Sequence, residues 1–263
     1  MPRTVIIDGD VLAYRVGSGL QEDFDVELSE DDEFIYRTIS WGSKRAAIDK
    51  LDAKIASILN DTKSQEHIIV LSDSESNFRK ELNPKYKSNR KTIKPLLLSF
   101  LRKYLTDTYK TYIRPSLEAD DVIGILATSD KIIKGDKVVW SMDKDFKTIP
   151  CKFRREAPDG SHISKAFSTE EADWWFMYQT LIGDKVDGYD GCRGVGEKTA
   201  RKLLGEVGEK PLAEMWEIVK DTYITAGFTE EDALLNARMA RILRAEDYDF
   251  KKKEVKLWSI DNV

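Results

Sequence analysis

Ten carboxylates stand out by where they fall: Asp8 and Asp10 in DGD, Asp73 alone, Glu118, Asp120 and Asp121 in EADD, Asp143 and Asp145 in DKD, and Asp184 and Asp187 in DKVD. The first pair follows the apolar run TVII, Asp73 follows HIIVLS, Asp143 follows KVVWSM, and EADD sits at a helix start. One D-x-D after a strand is ordinarily a turn or a cap, and acids in a first helical turn complement the macrodipole. Five groups, four of them following strands, call for more, because gathered carboxylates repel one another unless cations sit among them. Oxygen-only donors suit hard cations such as Mg²⁺ or Mn²⁺. Two such ions about 4 Å apart can activate a water and stabilise the leaving oxygen of a phosphodiester. Metal-dependent phosphoryl chemistry is the expectation. With only His67 and His162 in the chain, a histidine-rich metal site is excluded and a Ser-His-Asp triad is disfavoured. His67 reads as a strand-edge residue.

Two further stretches suit a phosphate polymer. Residues 77–94, NFRKELNPKYKSNRKTIK, carry Arg79, Lys80, Lys85, Lys87, Arg90, Lys91 and Lys94 against one acid, Glu81, with Phe78 and Tyr86 interleaved. Cations pair with phosphates and aromatic rings stack on bases. Residues 188–205 contain Gly194-Val195-Gly196 followed by Glu197 and Lys198 at the start of a helix. Such a turn presents backbone N–H groups and a helix N-terminus to a phosphate without reading sequence. It lies just after Asp184 and Asp187, so acids and turn are held in register. By contrast Trp174, Trp175, Met177, Tyr178, Leu181 and Ile182 read as helix core, and Lys144 as a surface neighbour.

These residues need a scaffold. Segments 3–8, 67–72, 109–113 and 136–140 read as buried strands, and 43–60 and 117–128 as helices between them. That alternation predicts an α/β fold with a mostly parallel twisted sheet flanked by helices, and a site beyond the carboxyl ends of the strands. From about 169 the chain turns helical. Thr169 reads as the cap of the first helix, further helices fall at 211–225 and 228–243, and 254–258 reads as an edge strand. The acidic stretch 18–36 reads as an exposed excursion.

The formal net charge is −5, which looks unsuited to nucleic acid. Setting the ten motif acids aside leaves −5 + 10 = +5 for the rest, so cations bound among the acids would leave a basic surface for phosphates. No stretch approaches the 18 apolar residues of a membrane span, and two cysteines, Cys151 and Cys192, make no disulfide framework or zinc spacing. No export signal opens the sequence, so a cytoplasmic setting is expected.

The motifs DGDVLAY, SDSESNFRKELNPKYKSNRK, LEADDVIG, SMDKDFKTIP and ADWWFMYQTLIGDKVDGYDG resemble the 5′-nuclease (flap endonuclease) superfamily, and within it the 5′→3′ exonucleases of short-tailed phages. The resemblance implies a PIN-like nuclease core over 1–168 with a basic helical arch at about 76–106. It also implies a helical region over 169–263 with a helix–hairpin–helix at about 181–205. Asp8, Asp73, Glu118 and Asp120 would bind the tighter of two Mg²⁺ or Mn²⁺ ions. Asp143, Asp145, Asp184 and Asp187 would bind the second, with Asp121 supporting and Asp10 matching only the phage branch. Arg79, Lys80, Tyr86, Lys87, Arg90 and Lys91 would contact DNA from the arch, with Arg79 and Lys87 at the scissile region. Gly194, Gly196 and Lys198 would grip duplex DNA and could hold K⁺. The implied substrates are duplex DNA with 5′ ends, nicks or flaps and RNA–DNA hybrids, in phage replication and host DNA degradation in the infected cytoplasm. A separate polymerase or single-strand-binding protein would be the partner. The alternative is a haloacid-dehalogenase-like phosphatase, whose opening VIIDGDVLAY also fits; Asp8 would then be a nucleophile.

Overall fold

The computed structural model describes residues 2–27, 35–89, 93–157 and 159–262. In chain order the strands are β1 (Arg3–Asp8), β2 (Gln21–Glu27), β3 (Ile35–Trp41), β4 (Glu66–Val70), β5 (Thr111–Tyr112), β6 (Asp136–Trp140), β7 (Lys152–Glu156), β8 (His162–Ala166), β9 (Tyr248–Asp249) and β10 (Glu254–Val255). The helices are α1 (Gly9–Ser18), α2 (Lys44–Thr62), α3 (Phe78–Leu82), α4 (Leu98–Thr108), α5 (Ala119–Thr128), α6 (Thr169–Ile182), α7 (Glu197–Leu204), α8 (Leu212–Thr225) and α9 (Glu230–Ala240).

The main sheet runs β5-β4-β1-β6-β7-β8 and is parallel except for β8. Its central strands β1, β4 and β6 open on polar residues and turn apolar and buried toward their carboxyl ends, where both faces are covered. Val5, Ile7, Ile69, Leu71, Val138 and Trp140 pack with α1, α2 and α4. Ile6, Ile68, Val70 and Val139 point the other way, onto α5. The chain steps from β1 to β4 and β5 on one side and then crosses to β6 on the other, so the strand order reverses at β1. Ligand sites of open α/β sheets lie beyond the carboxyl ends at such a reversal, and Asp8 is the last residue of β1.

Two expectations are corrected, and two strand pairs are new. The cap of α6 is Ser168, not Thr169: the Ser168 hydroxyl accepts from Glu171 N, and the Glu171 carboxylate accepts from Ser168 N, a reciprocal capping box. Residues 254–258 do not join the main sheet, since Glu254 and Val255 pair only with β9. The β7–β8 hairpin closes the sheet antiparallel; KFRRE and HISKA are too charged to show an apolar period, as an edge strand allows. Within 18–36, β2 pairs with β3 in a separate hairpin; residues 28–34 lie outside the described residues.

Helices α6 to α9 build their own cluster around Trp216, Tyr223 and Trp258. The tail after α9 returns to the sheet, where Ile242, Leu243 and Tyr248 pack with α5. Among the described residues no helix is long and apolar enough to cross a membrane.

Candidate active site

Parallel strands deliver the acids to one edge. Asp8 caps α1, accepting from Val11 N (3.1 Å) and from the Ser141 hydroxyl (2.7 Å). It is 5 % exposed. Burial, with Asp143 adding to it, pushes its carboxyl up to about 6 against those two hydrogen bonds. Asp143 follows β6 and accepts from Asp145 N (2.8 Å), shaping a tight turn over Lys144–Thr148. Burial and the neighbouring Asp143 and Asp184 push Asp145 up to about 6 as well. Asp120 accepts no hydrogen bond from any described residue. Burial and the charges of Glu118, Asp121 and Asp143 hold its carboxyl well above the usual range, against Lys87. Acids from β1, β6, the α5 start and the loop after α6 thus repel one another, as their gathering requires.

Glu118 supplies the contrast. Its carboxylate accepts from the Lys87 ammonium (2.5 Å), the Tyr86 hydroxyl (2.7 Å) and Arg79 (3.3 Å). Burial works against its charge, yet these partners hold it down to about 2. The Lys87 ammonium also lies 3.6 Å from Asp187. Among the described residues no three carboxylates are close enough to enclose an ion as they stand; a lysine amine sits between Glu118 and Asp187 instead. The donor set fits a hard divalent cation all the same. It is all oxygen, it is crowded beyond what its own cations neutralise, and Asp120 stands without a donor.

The loop after α6 carries the remaining acids. Asp184 accepts from Val186 N and Asp187 N, and the Asp187 carbonyl accepts from Lys87 N. Gly188 has φ +82°, and a Cβ there would lie 2.6 Å from the Lys85 carbonyl oxygen, so only glycine lets the two loops meet. A groove of about 1160 Å³ runs from Asp145 and Asp184 to Gly194, Gly196 and Glu197. Gly194 has φ +83° with open space around it. Helix α7 begins after Gly196 without a side-chain cap, leaving first-turn N–H groups open to an anion. Lys198 is exposed beside them.

The model of the 5′-3′ exonuclease N-terminal, resolvase-like domain matches residues 3–152. The exonuclease of Escherichia phage T7 is 32 % identical across 97 % of this chain and 92 % of its own length. The chain belongs to the 5′-3′ exonuclease family. It is a 5′-nuclease. The exodeoxyribonuclease of Enterobacteria phage T3 is 33 % identical over the same shares, 97 % and 92 %. Among solved structures, the bacteriophage T5 flap endonuclease in complex with DNA and metal ions superposes with a TM-score of 0.60, covering 91 % of this chain and 89 % of that one. At 15 % identity that likeness speaks to the fold: a mostly parallel sheet flanked by helices. None of these relatives is a haloacid-dehalogenase phosphatase, and Asp8, capped into α1 and bonded to Ser141, is no free nucleophile.

Several residues of this 5′-nuclease are not where the sequence reading put them. Arg79 is 3 % exposed: it pairs with both oxygens of Asp121 and donates to the carbonyls of Met239 and Arg241. It cannot meet a DNA phosphate. Asp121, fully buried, is taken up by Arg79, Leu243 N and Glu118 N, so it supports the site rather than a metal. Tyr86 is buried, with its hydroxyl on Glu118, and does not stack on a base. Asp10 accepts from Ser72 N and pairs with Arg102 on α4, so an arginine neutralises its charge. Asp73 accepts from Glu75 N, Ser76 and Ser116 N. These donors hold its carboxyl below the usual range, and one oxygen has two of them. Lys80 is exposed; Arg90 and Lys91 lie outside the described residues. Sequence reasoning missed Ser141 and Arg102. A serine between β6 and Asp143 is a usable signal for the first, whereas nothing local marks Arg102.

Proposed function

We propose that this chain is a metal-dependent 5′→3′ exonuclease acting on duplex DNA ends, nicks and flaps and on RNA–DNA hybrids, in phage replication and host DNA degradation within the infected cytoplasm. The observation that carries it is the meeting, at one sheet edge, of Asp8, Glu118, Asp120, Asp143, Asp145 and Asp184, with the Lys87 ammonium already among them. The T5 neighbour's DNA and metal ions support the substrate and cofactor classes.

Asp8, Glu118 and Asp120 would hold one Mg²⁺ or Mn²⁺, with Asp73 at the margin; Asp143, Asp145, Asp184 and Asp187 would hold a second. When bound, such ions supply an acidified water and positive charge for the leaving oxygen. The chain's own part is positional. Burial keeps Asp8 dry while Asp120 stays half-buried and open, Ser141 fixes the Asp8 rotamer, and Tyr86 and Arg79 orient Glu118. Lys87 can leave Glu118 for a phosphate, staying in a place where positive charge is wanted. The Gly194–Gly196 turn and Lys198 would hold the duplex backbone, with K⁺ as an additional bridging cation. Division into a core over 1–168, with the arch at 76–106, and a helical region over 169–263 belongs to the same reading, the tail after 240 returning to the core. A separate polymerase or single-strand-binding protein would be the replication partner.

Duplexes blocked at the 5′ or the 3′ end, incubated in Mg²⁺ with products sized over time, test the proposal. Digestion should stop with the 5′ block alone, and Asp120→Ala should abolish it while sparing binding in Ca²⁺. Digestion that continues past a 5′ block and stops at a 3′ block would overturn the polarity; cleavage undiminished in EDTA would overturn the metal requirement.

A further inference from the structure

Between the Asp143–Asp145 loop and the Gly194–Gly196 turn lies a group of residues that the chemistry above does not use. Trp174, Trp175 and Tyr178 project from α6 as a joined aromatic cluster: Trp174 and Tyr178 stack at 5.3 Å, and Trp175 meets both edge-on at 4.9 and 5.2 Å. Two cations from separate elements rest on it. The Lys147 ammonium is 3.9 Å from the centre of the Trp175 ring. The Arg201 guanidinium, from α7, is 5.2–5.5 Å from the centres of Tyr178, Trp175 and Trp174.

Neither cation has an ion pair among the described residues, although Lys147 feels Asp145 and Asp143 at longer range and Glu197 acts on neighbouring Tyr178. The two share one ring, with Lys147 at 3.9 Å and Arg201 at 5.3 Å from the centre of Trp175. A protein that merely needed to solvate this face would let them diverge or place a carboxylate between them. Ring faces instead hold both cations in place with no carboxylate among the described residues in direct contact with either. Lys147 and Tyr178 line the groove that joins the acids to the hairpin turn. Lys147 on that groove and Arg201, seated from α7 on the same Trp175 ring, are two oriented positive charges that fit one ligand chemistry, the phosphodiester backbone.

We infer that Lys147 and Arg201, held on the Trp175 ring, form a phosphate clamp for the DNA duplex between the metal-binding loop and the helix–hairpin–helix turn. The clamp rests on the proposed action on DNA. It sets how the strand is held a short way from the bond that is cut, without reading bases.

The test uses the full chain in Ca²⁺, with a labelled duplex bearing a 5′ flap as the probe, titrated across KCl concentrations. Lys147→Gln and Arg201→Gln should each weaken affinity severalfold at about 150 mM salt. Each should also reduce the slope of log affinity against log salt by about 0.9, the loss of one phosphate contact. Trp175→Ala should reproduce the affinity loss with both charges present, and Trp175→Phe should restore part of it. Unfolding temperatures within a degree or so of the parent's separate clamp loss from misfolding for the two glutamine variants, which lie on exposed or half-exposed positions. Unchanged affinity and salt slope in both glutamine variants would overturn the clamp while leaving the nuclease reading intact. A parent protein that neither binds nor cuts the flap duplex would overturn both.

Discussion

Arg79 and Asp121 meet in a two-pronged ion pair, with the guanidinium nitrogens Nη1 and Nη2 donating to the two carboxylate oxygens at 2.7 and 2.8 Å. Because the same guanidinium also donates to Met239 O, Arg241 O and Glu118, one side chain ties α3 to α5, to the end of α9 and to the Glu118 carboxylate. Arg79→Ala would leave Asp121 charged, fully buried and unpaired. Removing one partner of such a pair costs about 3–5 kcal/mol, so chemical denaturation should show a loss of that order. Arg79→Lys should recover little, lacking the fork. A loss below about 1 kcal/mol, together with a weakened salt dependence of DNA binding, would return Arg79 to the DNA-facing role.

Burial, with crowding added to it, makes the acids of the metal-free protein costly to ionise. Asp8 and Asp145 titrate near 6 in the folded chain and near 3.8 when unfolded, and Asp120 is displaced the same way. The folded state therefore holds more protons between about pH 4 and 6, and stability falls as pH rises through that window, by up to about 1.4 kcal/mol for each tenfold difference in proton affinity between the folded and unfolded carboxyl. Glu118, depressed from 4.5 to about 2, opposes this at the acid end of the window, where the unfolded carboxyl binds protons that the folded one does not, and little of that opposing slope is left above pH 5. His67, lowered by burial, works the other way just below pH 6.5. In EDTA the unfolding temperature of a His67→Gln background should be higher at pH 5 than at pH 7.5, and Mg²⁺ should recover the difference at pH 7.5. A higher value at pH 7.5 in EDTA would contradict the crowding.

Lys87 competes with a cation for Glu118. Lys87→Ala should therefore bind Mg²⁺ more tightly than the parent in the absence of DNA, as read by calorimetry, while cutting DNA more slowly. Weaker Mg²⁺ binding by a folded variant would show that the lysine supports the acids rather than occupying their ion's place.

Gly194 sits at φ +83° in open space, so a side chain there clashes with nothing and costs only backbone strain, about 1–3 kcal/mol for a β-branched residue. Gly194→Val should lower duplex affinity in Ca²⁺ and leave the hydrolysis of a dinucleotide phosphodiester nearly unchanged. Equal losses in both assays would mean that the turn shapes the acid cluster too.

Much of this was legible in one dimension. Apolar runs such as TVIID and HIIVLS are set by local composition, and the acids after them inherit a shared sheet edge from parallel pairing alone, so their convergence could be foreseen. Gly194, at φ +83°, likewise announces its backbone need in its own identity. What could not be read was which charges face outward. Arg79 and Lys87 lie in the same basic stretch, yet one is sealed against Asp121 and the other reaches the acids. Asp120 and Asp121 are adjacent, yet one is open and the other locked. Tryptophans read as plain core turn out to seat Lys147 and Arg201. Burial and pairing depend on partners more than a hundred residues away in some cases, Arg79 with Met239 among them, and a helix turns its neighbouring side chains about 100° apart. The order of residue types thus determined the chemistry available to this protein, and only three-dimensional packing decided which side chains were free to perform it.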